Sequence, residues 1–119
     1  MRPILAGSQF DILRVVDGDT LEVDIRIWYN LTWKGKIRVH GVDCPELPSI
    51  AGIKASQYTQ DWLNGVHDKK ELILRVEGKD KYDRIVGDIT DGNRSLSSSL
   101  VESGNAVVYR SIEHVEIYW

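Results

Sequence analysis

Two acidic turns in the first half of the chain hold the residues best suited to chemistry: Val16-Asp17-Gly18-Asp19-Thr20 and Val42-Asp43-Cys44-Pro45-Glu46. Asp19 and Asp43, with a neighbouring backbone carbonyl and water, would give calcium or magnesium the hard oxygen ligands it takes. Positions left open on such an ion would let a phosphate oxygen bind and be polarised. Glu46, three residues past Asp43 and directly after Pro45, is suited to hold or deprotonate a water beside the ion. Arg38 and Arg84 add guanidinium forks that match phosphate oxygens and offset the charge of a five-coordinate transition state. The reaction that needs all of these together is metal-assisted phosphodiester hydrolysis.

The elements that must position these residues are mostly strands. Phe10 to Val16 reads as a first strand, ended by the Asp17-Gly18 turn signal. From Thr20, Leu21, Val23, Ile25 and Ile27 alternate with Glu22, Asp24 and Arg26, the pattern of a strand with one face in a core. Trp28 to Lys36 is expected to be a long hairpin tip turning at Asn30 and Gly35, and Lys36 to Val42 a third strand. Extending the two alternations puts Asp19 and Asp43 at the rim of the buried face, and Arg38 and His40 on the opposite one. A helix is expected from about Ile53 to Gly65 on the stripe Ala51, Ala55, Tyr58, Trp62, Leu63 and Val66. Glu71 to Glu77 and Arg84 to Thr90 supply the fourth and fifth strands, with Lys79 to Asp83 as the turn between them. A short helix fits Leu96 to Ser103, capped by Ser95 or Ser97 and ended by Gly104. Ala106 to Tyr109 is one more apolar run, and the tail Ile112 to Trp119 has no assigned element. The fold class is therefore mainly β with helices: a five-stranded OB-fold-like barrel, one helix between strands 3 and 4, and a short helix after strand 5.

The 119 residues fit one domain, with an unplaced tail at about 110–119. A single cysteine excludes an internal disulfide, the opening residues are too little charged and too briefly apolar for a signal peptide, and no apolar run approaches a membrane span. The cytoplasm is the expected compartment, with no membrane partner. The formal charge of −3 argues against non-specific grip on nucleic acid, so any polyanion site must be local.

Val16 to Thr20, Arg38 to Glu46, Asp80-Lys81-Tyr82-Asp83-Arg84 and Leu100 to Ala106 resemble, in order and spacing, the staphylococcal nuclease-like (thermonuclease) family, over about Phe10 to Tyr109. The resemblance implies an OB-fold nuclease that uses calcium, with magnesium or manganese as other candidates. It would cleave single-stranded or unwound DNA or RNA and leave 3′-phosphates. Asp19 and Asp43 match its metal carboxylates, Cys44 the site of a carbonyl ligand, Glu46 the general base, and Arg38 and Arg84 the phosphate-binding arginines. Lys81 and Tyr82 match positions that contact a terminal phosphate. Asp83 departs from the pattern, standing where the family usually has glycine and adding negative charge beside the phosphate site. The hairpin from Trp28 to Lys36 is longer than in the best-known member, and the alternative function is a catalytically silent module that binds nucleic acid or protein.

Other residues have plainer readings. Asp17 braces its turn, His40 is a solvated strand histidine, and Cys44 is a small residue without a basic partner. The match of Asn30-Leu31-Thr32 to a glycosylation acceptor is chance without a secretory signal. Trp28, Tyr29 and Trp33 beside Lys34 and Lys36 could stack bases, pack on their own hairpin, or mediate self-association together with the tail.

Overall fold

The computed structural model describes residues 4–66 and 68–109. Among them, eight strands run in chain order: β1 (Ile4–Ala6), β2 (Phe10–Asp17), β3 (Thr20–Trp28), β4 (Leu31–Val39), β5 (Val42–Asp43), β6 (Ile73–Lys79), β7 (Ile85–Thr90) and β8 (Val107–Val108). Helix α1 (Ile50–Asn64) lies between β5 and β6, and α2 (Leu96–Glu102) follows β7. The large sheet has the order β1-β6-β7-β4-β3-β2, while β5 and β8 form a small antiparallel pair. Its two edges, β1 and β2, are separated by only the three residues Gly7–Gln9. The sheet must therefore curl until its edges meet, and β1 with β2 acts as one bent strand across the seam. Counted that way, the structure is the five-stranded OB-type barrel expected, with its helices where the sequence places them. One contact is parallel, β4 against β7, with Arg38 opposite Val86.

Alternation decides what fills the barrel. Leu21, Val23 and Ile25 of β3, Ile37 and Val39 of β4, Leu74 and Val76 of β6 and Ile89 of β7 are buried in one cluster with Ala55, Trp62 and Leu63 of α1 and Leu96 and Leu100 of α2. Each large aliphatic side chain so buried contributes on the order of 2 kcal/mol. Helix α1 starts at Ile50, earlier than Ile53, because Ser49 caps it by accepting the Gly52 N–H at 3.0 Å. Its buried face is Gly52, Ala55, Thr59, Trp62 and Leu63, so Ala51 is displaced from the expected stripe. Ser95 caps α2, and Gly104 follows its end with φ +80°.

Two expectations about the strands need correction. The stretch Trp28 to Lys36 is no long tip, since β3 and β4 stay paired from Thr20↔Arg38 to Trp28↔Leu31 and turn at Tyr29 and Asn30. Gly35 is a strand residue whose missing side chain leaves room for the Trp33 ring, which packs against the core. The third strand ends at Val39 and does not run on to Val42, because Gly41 has φ +79°, a left-handed conformation that ends the alternation. The tail beyond Tyr109 lies outside the described residues.

Candidate active site

The first acidic turn joins β2 to β3 and is pressed onto α1. A side chain at Gly18 would meet Ala55 Cβ at 2.8 Å and Cys44 Sγ at 2.9 Å, so only glycine allows this approach. Thr59, fully buried, donates its hydroxyl to the Gly18 carbonyl at 2.6 Å. Asp17 Oδ1 accepts the Asp19 N–H at 3.3 Å, which is the bracing role expected of it. The turn thus presents Asp19 from a fixed backbone. Thr59 escapes sequence reasoning because a threonine within an apolar helical stripe reads as a filler. Its signal is its position four residues after Ala55, on the face that meets the turn.

Asp19 is only 5% exposed, and all of its partners lie at the junction of the two acidic turns. Its Oδ2 accepts the Cys44 N–H at 2.8 Å and lies 3.2 Å from Arg38 Nη1, while its Oδ1 accepts the Thr20 hydroxyl at 3.2 Å. Arg38 Nη2 lies 3.2 Å from Asp43 Oδ1. One guanidinium therefore links both aspartates, which overturns the expectation that Arg38 faces away from Asp43. The physical reason is that β4 stops one residue later. Arg38 folds over the strand end, donating also to the Val39 carbonyl at 3.1 Å, and nothing beyond the strand blocks its reach. Strand parity holds for Asp19, which is buried with Leu21 and Val23, and fails for Asp43, whose side chain is 52% exposed beyond the Gly41 turn.

Arg84 lies just ahead of β7, the strand that runs parallel to β4 and sets Val86 opposite Arg38. Asp80 builds the loop around Arg84, accepting the N–H groups of Tyr82 and Arg84 on Oδ1 and Arg84 Nε on Oδ2 at 2.8 Å. The Arg84 guanidinium and the Lys81 ammonium each lie 5.3 Å from the centroid of the exposed Tyr82 ring. Asp83 has φ +66°, which explains why glycine suits this position, and its carboxylate pairs with Lys79. Glu46 is exposed and its carboxylate has no ion pair among the described residues. Its carbonyl accepts both the N–H and the hydroxyl of Ser49, so its backbone is tied to the start of α1. His40 is exposed, as expected.

Burial shifts two groups at this junction, Asp19 and Cys44. The Asp19 carboxyl is raised to about 6, mainly by burial and then by the hydrogen bond with Asp17, against the opposing Cys44 N–H and Arg38. The Cys44 thiol is pushed up to about 12 by burial and by the Asp19 charge, so it is no thiolate ligand or nucleophile. No group of three or more His, Cys, Asp or Glu side chains forms a cage for a metal among the described residues. A cation held here would depend on two carboxylates, a carbonyl and water. The donors fit a hard divalent ion: Asp19 and Asp43 converge on a single guanidinium, and added positive charge would offset the burial that raises the Asp19 carboxyl.

The fold is an OB-type barrel whose two acidic turns meet at the Arg38 guanidinium. The chain belongs to the staphylococcal nuclease homologue family, whose model matches residues 36–118. That match takes in Arg38, Asp43, Cys44, Glu46, Lys81, Tyr82 and Arg84 and begins after Asp19. The chain is also 25% identical over 107 residues to a protein named as an uncharacterized endonuclease from Haemophilus influenzae. The aligned stretch covers 90% of this chain and 56% of that protein, so the chain spans about half the length of the curated relative it matches.

Proposed function

We propose that this chain is a single-domain, calcium-dependent endonuclease that hydrolyses phosphodiester bonds of single-stranded or unwound DNA or RNA. Asp19, Asp43 and the Cys44 carbonyl hold the ion, with magnesium or manganese as substitutes. The bound cation supplies polarisation of a phosphate oxygen and acidification of nearby water. Glu46 takes the proton of the attacking water, and its exposure leaves it free to do so. Arg38 and Arg84 neutralise the charge that gathers on phosphorus, while Lys81 and Tyr82 hold a neighbouring phosphate. The observation that carries this reading is the pair of 3.2 Å contacts by which Arg38 draws Asp19 and Asp43 together. Family membership and the endonuclease name of the distant relative support it.

Incubation with single-stranded DNA and calcium, with and without chelator, tests the reading directly. Cleavage that chelator abolishes and Glu46→Gln strongly reduces is expected. Intact substrate, or undiminished cleavage by Glu46→Gln, would overturn it. The second reading, a silent binding module, draws on the ion pair between Arg84 and Asp80, which could keep that arginine from phosphate. Salt-sensitive binding of an oligonucleotide that is never cut would favour it.

A further inference from the structure

The hairpin β3–β4 extends beyond the point where β4 leaves β7, since the parallel contact covers only Ile37 to Val39. On the free stretch, Lys34 and Lys36 share the face of Arg38 by strand alternation, and both are exposed. Successive members of such a row stand about 6.6 Å apart, comparable to the spacing of phosphates along an extended single strand. The facing side chains on β3 are Glu22 and Asp24. Glu22 is taken by Arg14 at 3.3 Å, and one Asp24 oxygen is buried without a hydrogen-bond partner. Neither lysine forms an ion pair among the described residues. At the far end, Trp28 and Tyr29 are 70% and 84% exposed, with ring centroids 5.1 Å apart.

We infer that this hairpin is an extended track for single-stranded nucleic acid, leading away from the candidate active site. Phosphates lie on Lys36 and Lys34, and a base stacks on the Trp28–Tyr29 pair. The occupant follows from charge complementarity: an ordered row of cations ending in exposed rings suits a strand that offers phosphates and unpaired bases together. From Leu31 to Arg38 the strand covers about 23 Å, enough for several nucleotides. This rests on the nuclease reading for the near end of the track, and it adds a requirement for substrate length and single-strandedness.

The test titrates the full chain, in chelator, with a single-stranded trinucleotide and a dodecanucleotide, following anisotropy and tryptophan fluorescence across salt concentrations. The variants are Trp28→Ala and the double change Lys34→Gln with Lys36→Gln, all at exposed positions, with melting temperature as the control for folding. For the dodecanucleotide, each variant is expected to bind roughly tenfold more weakly. The lysine variant should also have a log–log salt slope shallower by about 1.4, for two lost phosphate contacts. Trinucleotide binding should stay as in the unaltered chain. Equal dodecanucleotide binding by all forms overturns the track, as does no binding by the unaltered chain. Fluorescence that follows protein concentration and ignores oligonucleotide also overturns it, marking the hairpin as a self-association surface. A parallel calcium assay separates the two readings. Hairpin-dependent binding without cleavage leaves the track standing and removes the nuclease, whereas cleavage with no hairpin dependence does the reverse.

Discussion

Arg38 has opposite effects on the two things a metal nuclease must do. Its guanidinium holds Asp19 and Asp43 together, yet it also occupies the charge that a cation would neutralise. Arg38→Ala should therefore lower cleavage by about 100-fold or more, as loss of one transition-state donor does, while calorimetric calcium affinity stays equal or rises. A fall in calcium affinity would show that Arg38 mainly assembles the site. Asp19 adds a pH signature. Its folded value of about 6 lies above its ordinary 3.8, so between these values the folded protein keeps a proton that the unfolded chain releases. The stability from this group is complete below about pH 4 and declines as pH rises toward 6. Urea unfolding of the metal-free protein against Asp19→Asn should show their difference changing across pH 4 to 6 and level above it. A flat difference would refute the raised value.

At the scale of elements, two loops carry the site and each is anchored from below. The β2–β3 turn sits on α1 through Gly18 and the Thr59 hydroxyl. Thr59→Val keeps the shape but strands a buried carbonyl, which should cost about 1–3 kcal/mol in urea unfolding and weaken calcium binding. Unchanged stability would mean that the turn does not depend on that bond. The β6–β7 loop is built by Asp80 but bent at Asp83, a non-glycine residue at φ +66°. Asp83→Gly should relieve the left-handed backbone and stabilise by about 1 kcal/mol at most, with little cost from the lost Lys79 pair, whose Asp83 side is 75% exposed. It should also tighten oligonucleotide binding by removing a charge beside Arg84.

Across the whole molecule, the net charge of −3 means that affinity for a polyanion must come from local rows of cations. Calcium should raise stability by about 2.7 kcal/mol at a hundred times its dissociation constant. Thermal unfolding with added calcium should show that rise in the unaltered chain and lose it in Asp19→Asn. An equal rise in both would place the ion elsewhere. No described helix is long and apolar enough to cross a membrane.

The sequence by itself determined the features that are local. Strand alternation picked out Leu21, Val23 and Ile25 as buried in β3 and Asp19 just ahead of it, but not Ile27, which is 59% exposed because the hairpin has by then run past the core; turn chemistry marked the ends of β2 and α2. Acidic and basic residue types at fixed spacing were enough to suggest phosphodiester chemistry. The tertiary structure decided what depends on where a chain stops or what it meets. Parity carried past Val39 put Arg38 on the wrong side, because a left-handed Gly41 ends the pleat and a long side chain can fold over a strand end. Trp33 lies against the core and Trp28 in solvent, though both sit in one aromatic-rich stretch of the chain, because Gly35, two residues along the same face of β4, leaves room for the Trp33 ring. The closure of β1 on β6 and the buried Thr59 bond to the Asp17-Gly18-Asp19 turn join residues far apart in the chain. No local pattern encodes such contacts, since they exist only once the sheet has curled and α1 has packed against it.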